Sequence, residues 1–367
     1  MRVLLSAILL WVLVLNGNAQ YYFPPTTGNQ WDTVSPASLG WCVSELDTLS
    51  EYLDTRNSKS FIILHKGKIA YERYYNGHDA QTSWYWASAG KSLTAFLIGM
   101  AQKQNLLDIN DKASDYLGNG WTVAPSAKEG LITIKQQMQM TTGLDFNVPN
   151  QNCLEDTCLK YLHDAGTHWY YHNAPYRLLQ DVVAAASGKN YNVYTSQSLA
   201  SSTGITGLWL NYVFYSKARN MARFGLLNLN KGVWDGTPIL NDTAYFNAMV
   251  SPSQNHNPAY GYLWWLNGST FFKQPGFDIT FPGSIIPTAP ADLYMAAGAN
   301  DQRIYVVPSL DLVVVRQGNE AYTQQAALSQ FDPELWQLLM NVICTTVSLE
   351  EQNADGVEIF PNPVGNR

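Results

Sequence analysis

Ser88 and Lys91 stand three residues apart in Trp86-Ala87-Ser88-Ala89-Gly90-Lys91-Ser92-Leu93-Thr94-Ala95-Phe96-Leu97, at the start of an apolar helical run. Positions i and i+3 share a helix face, so the lysine amine can reach the serine hydroxyl. A serine becomes a nucleophile when a base takes its proton, and an amine serves if its surroundings depress its pKa. A first-turn position also meets outward-pointing N–H groups, which favour developing negative charge. Alone, Ser-x-x-Lys recurs by chance in long chains, and a capping serine with a solvated lysine explains it more economically.

Two further stretches change that balance. Trp169-Tyr170-Tyr171-His172-Asn173-Ala174-Pro175-Tyr176-Arg177 places Tyr171-x-Asn173 ahead of a new helix. A tyrosine held beside a lysine can act as general base or proton shuttle, because the ammonium favours phenolate. The plainer reading is a packing aromatic. Ala296-Ala297-Gly298-Ala299-Asn300-Asp301-Gln302 is a strand end entering a turn. Gly298 there lets substrate lie against the strand backbone, whose N–H can donate to an oxyanion. By itself it is only a hairpin.

These residues need elements to position them. Trp41 to Leu53 is amphipathic and helical, and Phe61–His65 with Ile69–Tyr75 reads as a hairpin turning at Gly67. Ser88 to Gln104 is the helix of the serine. Residues from about 105 to 250 are mostly helical patterns broken by Gly, Pro and Asn. Strand signals return at Tyr262–Leu266, Leu293–Gly298, Arg303–Val307 and Leu312–Arg316, and Phe331–Ile343 closes the chain with a helix. Strands first and last with helices between predict an α+β fold: one antiparallel sheet interrupted by a mainly helical insertion. No internal repeat is visible.

The order Ser88-x-x-Lys91, Tyr171-x-Asn173, then a strand with Gly298 resembles the serine β-lactamase and penicillin-binding protein superfamily. It looks most like the class C β-lactamase-related esterases and amide hydrolases, including 6-aminohexanoate-dimer hydrolase-like enzymes. Supporting segments include Leu106–Lys112, Ile132–Lys135 leading into Met140-Thr141-Thr142-Gly143, Ser216–Gly225, Tyr260–Trp265 and Gln302–Pro308. The resemblance implies a β-lactamase/transpeptidase-like domain over 41–346, after a lead-in at 20–40, with the sheet flanked by the first and last helices. It implies catalysis by Ser88, Lys91 and Tyr171, with Asn173 and Gly298 at the substrate and the N–H groups of Ser88 and Ala299 as oxyanion hole. No cofactor or metal is needed for that chemistry.

The departures shape the expected activity. β-Lactamases and D,D-peptidases usually carry Lys-Thr-Gly on the third motif, where the lysine receives the substrate carboxylate. Ala296-Ala297-Gly298 keeps the glycine and loses the cation, and an apolar site cannot replace a charge-assisted contact. A small-molecule ester or amide is therefore the expected substrate, with β-lactamase or D,D-peptidase activity as the alternative. Met140-Thr141-Thr142-Gly143 in place of His-Thr-Ser-Gly reads as a scaffold difference. An α/β-hydrolase elbow fits less well, because Trp86 stands where its first glycine belongs. A non-catalytic surface-binding protein, its 12 Trp and 22 Tyr serving as stacking platforms, leaves the Ser, Lys and Tyr set unexplained.

Of the 367 residues 46% are hydrophobic and 14% charged, enough for a substantial core. The net charge of −7 and the lack of a basic run argue against nucleic acid as a partner. Met1-Arg2, the apolar run Val3–Leu15 and Gly17-Asn18-Ala19 read as a signal peptide over 1–19, too short for a stable membrane span. Phe360-Pro361-Asn362-Pro363-Val364 resembles the opening of a type IX secretion sorting domain. Residues 347–367 would then be a linker and the truncated start of that domain, read by secretion machinery. The expected location is periplasmic in transit, then secreted or at the cell surface. Four cysteines allow three pairings, and they cluster too poorly with His163 and His168 for a metal site. In the resembled fold the first and last helices pack side by side, which implies Cys42–Cys344 and leaves Cys153–Cys158 to close a short loop.

Overall fold

The first helix, α1 (Glu45–Thr55), opens with Glu45 and Asp47, which complement the positive end of its dipole, and buries Leu49 and Leu53 on one face. The computed structural model describes residues 21–323 and 328–344. The expected signal peptide and sorting tail lie outside them. Strands β1 (Ser58–His65) and β2 (Lys68–Tyr74) form the expected hairpin. Lys66 and Gly67 at its turn have φ of 49° and 83°, the left-handed pair that matches a two-residue loop to the strand twist.

After a long excursion the chain returns to the same sheet with β3 (Trp265–Leu266), β4 (Tyr294–Gly298), β5 (Gln302–Val307) and β6 (Leu312–Gly318). The strand order is β2-β1-β6-β5-β4-β3, antiparallel throughout. The third strand signal overreached. Leu263 has a φ of 58°, so the strand expected from Tyr262 begins only at Trp265.

Helices cover both faces, which explains why β4, β5 and β6 are buried at every position. Alternation along a strand sorts the contacts. Ile304 and Val313 face Gly225 of a helix spanning Ala218–Leu229. Arg303 and Tyr305 face Asp332 and Trp336 of the closing helix Phe331–Ile343, Tyr305 meeting Trp336 edge-on at 5.5 Å. That helix also packs on α1. Cys42, just before α1, is joined to Cys344 at the end of the closing helix, with Cα atoms 5.7 Å apart.

Between β2 and β3 lie the expected helices, among them α2 (Gly90–Lys103) and α3 (Asn173–Ser187). Every residue of α2 from Gly90 to Ala101 is buried, the mark of a helix enclosed on all sides. A small three-stranded sheet was not anticipated: Trp84–Tyr85, Leu208–Leu210 and Val213–Ser216. Its hairpin turns at Asn211 and Tyr212, both left-handed, without the glycine that usually signals such a turn. Among the described residues no helix is long and apolar enough to cross a membrane.

Candidate active site

Ser88 lies in a 3₁₀ turn, Ala87–Ala89, that runs directly into α2. Ala87 is held at φ 48°, a conformation uncommon for alanine, so the backbone is turned sharply just before the serine. Trp86 anchors that turn. Its amide donates to the Phe214 carbonyl at 2.8 Å and its indole N–H donates to Ser216 Oγ at 2.8 Å. Trp86 is thus a buried post tied to the small sheet, and not the glycine of a hydrolase elbow.

Lys91 Nζ donates to Ser88 Oγ at 2.8 Å, as the shared helix face requires. The lysine is buried, and its pKa is held well below the ordinary value, first by burial and then by repulsion from Arg177. The amine stands 4.8 Å from the ring centroid of Tyr171 and 4.3 Å from that of Tyr176. Aromatic faces favour a cation, while the loss of hydration disfavours it. A neutral amine beside a serine hydroxyl can accept its proton across the same contact.

Tyr171 precedes α3 and is buried, stacked on Trp265 at 5.8 Å with Tyr260 edge-on at 6.3 Å. Its phenol pKa is raised, with burial the main cause and the Ser88 hydroxyl a smaller opposing influence. Burial thus works against the phenolate that a neighbouring ammonium would favour. It disfavours the charged form of each, pulling the Lys91 amine down and pushing the Tyr171 phenol up.

Asn173 is the first residue of α3, and its Oδ1 is buried without a hydrogen-bond partner among the described residues. Gly298 ends β4 against the serine turn: a Cβ there would lie 3.0 Å from Ser88 N and 2.3 Å from the Trp86 carbonyl oxygen. The glycine was expected to make room for substrate. What it makes room for is the nucleophile turn itself. Ala299 follows on an exposed corner, and Asn300 donates from Nδ2 to the Tyr85 hydroxyl at 2.7 Å, tying this corner to the small sheet.

The fold therefore brings Ser88, Lys91, Tyr171 and Gly298 together from three separated segments, with Ala299 beside Gly298. Cys153 is joined to Cys158 in the loop ahead of Tyr171, with Cα atoms 6.0 Å apart. Sequence reasoning missed Tyr176, Trp265 and Asn300. Tyr176 lies three residues after Asn173 and hence on its helix face, which was the available signal. Trp265 and Asn300 lay within the stretches Tyr260–Trp265 and Ala296–Gln302, but their spacing alone gave them no contact role.

Residues 47–332 match the sequence profile of the Beta-lactamase family. The chain belongs to the beta-lactamase family. Its fold is shared with a Bacillus anthracis protein named for 6-aminohexanoate-dimer hydrolase activity, at a TM-score of 0.66 and 18% identity, over 88% of this chain and 89% of that one. A beta-lactamase/D-alanine carboxypeptidase from Pseudomonas syringae aligns at a TM-score of 0.59 and 16% identity, over 84% and 99%. A Bacillus subtilis strain 168 protein named as penicillin-binding protein PbpX is 26% identical over 155 residues, 40% of this chain and 37% of that protein. The chain thus spans well under half the length of that curated relative. Ala296, where the resemblance led to the expectation of a cation, is a fully buried strand residue.

Proposed function

We propose that the protein is an acyl-enzyme hydrolase for carboxylic esters or amides. The observation that carries this reading is the 2.8 Å contact between Ser88 Oγ and a buried, pKa-depressed Lys91. Ser88 attacks the substrate carbonyl while Lys91 takes the hydroxyl proton. The N–H groups of Ser88 and Ala299 receive the oxyanion, and the Tyr171 phenol delivers a proton to the leaving alkoxide or amine. Asn173 orients Lys91 or the carbonyl side of the substrate. Water then attacks the acyl-enzyme by the reverse proton route and frees Ser88.

Esters or linear amides are favoured over β-lactams and D-alanyl peptides because Ala296 and Ala297 offer no cation to a substrate carboxylate. Loops 145–170 and 252–260 would set the acyl and leaving-group preference. The two disulfides support an exported protein, since such bonds persist in oxidising compartments. Labelling with a fluorophosphonate, followed by peptide mapping, tests the reading. The adduct is expected on Ser88 and lost in Ser88→Ala. A folded protein that takes no label, or takes it elsewhere, is not this enzyme.

A further inference from the structure

Two arginines lie beneath the turn that joins β4 to β5, both fully buried. Arg316 donates from Nη1 to the carbonyls of Asn300 at 2.9 Å and Asp301 at 3.0 Å. Arg303 donates from Nη1 to the carbonyl of Gly298 at 2.7 Å. Its orientation is set from the far side by Asp332, with Nε to Oδ1 at 2.7 Å and Nη2 to Oδ2 at 2.9 Å, and by Asp301 Oδ1 at 3.0 Å from Nη2. Tyr305 donates to Asp332 Oδ1 at 2.5 Å and Ser329 to Asp301 Oδ1 at 2.7 Å. Desolvating charges in this way is costly, and a hairpin turn of neutral groups does not require it. A buried network so connected is stiff, and its hydrogen bonds polarise one another.

The position of that network gives it a role. The Gly298 carbonyl and the Ala299 N–H belong to one peptide group. That group is trans, so the N–H points away from the oxygen that Arg303 holds. Gly298 also abuts the Ser88 turn, as its missing Cβ shows. A guanidinium that draws electron density onto the Gly298 oxygen fixes the plane of this peptide and makes its N–H a stronger donor. We propose that Arg303 is a positioning residue for the reaction, holding and polarising the Gly298–Ala299 peptide so that the Ala299 N–H meets the oxyanion formed at Ser88. This rests on the acyl-enzyme reading above. Asp332 and Asp301 keep the guanidinium charged and aimed. Arg316 does the same for the two carbonyls further along the turn.

The sequence supplies a clean probe, because Gly298–Ala299 is its sole Gly-Ala pair. Full-length protein carrying carbonyl-¹³C glycine and ¹⁵N alanine shows one amide in a carbonyl-selected spectrum, that of Ala299. In the wild type this resonance is expected to move downfield when a fluorophosphonate labels Ser88. In Arg303→Lys and Arg303→Gln it should lie upfield of wild type and respond less to labelling. Turnover of a p-nitrophenyl ester should fall about 10- to 100-fold, with KM within about threefold, since the loss is confined to the transition state.

A folded variant with the native Ala299 resonance and native kcat overturns the proposal. So does a rise in KM alone, or a wild-type Ala299 resonance that ignores phosphonylation. Should neither variant fold, the Gly298 carbonyl shift in the wild type decides: downfield of ordinary glycine supports a guanidinium-bound oxygen, and an ordinary value refutes it. Failure of Ser88 to label at all is a separate result that overturns the acyl-enzyme reading itself.

Discussion

Gly298 and Ser88 approach so closely that a single methyl group cannot fit between their backbones: a Cβ on Gly298 would stand 3.0 Å from Ser88 N and 2.3 Å from Trp86 O. Its φ of −127° is open to any residue, so the requirement is for space and not for backbone freedom. Gly298→Ala should push β4 off the nucleophile turn and separate the two amides that would face the oxyanion. A drop of at least about 10²-fold in kcat is expected, comparable to losing one oxyanion donor. Steady-state ester hydrolysis checks it, and an active Gly298→Ala enzyme would show that the turn yields without consequence.

Lys91 is expected to be a liability to the fold that activity requires. Its folded pKa lies well below its unfolded value, so between the two the unfolded chain binds more protons and stability rises with pH. At neutral pH its burial therefore works against folding. Lys91→Met should abolish turnover, by at least about 10³-fold, while raising stability by about 1–2 kcal/mol. Denaturant melts at pH 7 beside ester kinetics would reveal it. A destabilised Lys91→Met would mean the amine's hydrogen bond outweighs its desolvation.

His172 sets an acid limit. It is buried, and burial pulls its pKa from 6.5 down to about 4, against a smaller upward influence from Asp145. Between those values the unfolded state binds more protons, so the contribution is present above about pH 6.5 and lost as pH falls toward 4. The difference corresponds to about 3 kcal/mol. His65, His78 and His168, also lowered by burial, add in the same direction. In His172→Phe the decline of thermal midpoint between pH 7 and 4 should be visibly shallower. Parallel curves for the two proteins would rule His172 out as the cause.

The absent third-motif lysine should show in substrate choice. Short-chain p-nitrophenyl esters are expected to be cleaved far faster than nitrocefin or a D-alanyl-D-alanine peptide. Nitrocefin turnover matching the best ester would mean that the buried Ala296 was given too much weight.

What this chain determined locally was legible from its residues: the helical face shared by Ser88 and Lys91, the Gly67 hairpin, the closing helix at Phe331–Ile343 and the order of the three motifs. Each rests on spacing within a few residues, which periodicity and turn chemistry expose. The direction in which burial shifts Lys91 and Tyr171 was not legible, because it depends on how completely Trp265, Tyr260 and Tyr176 enclose them, and those rings come from distant segments. The same holds for Arg303. As a strand residue it read only as part of a pattern, and it takes its place under Gly298 because the closing helix brings Asp332 to meet it. Burial and long-range pairing are properties of the assembled fold, and they set the environment in which Lys91 and Tyr171 titrate.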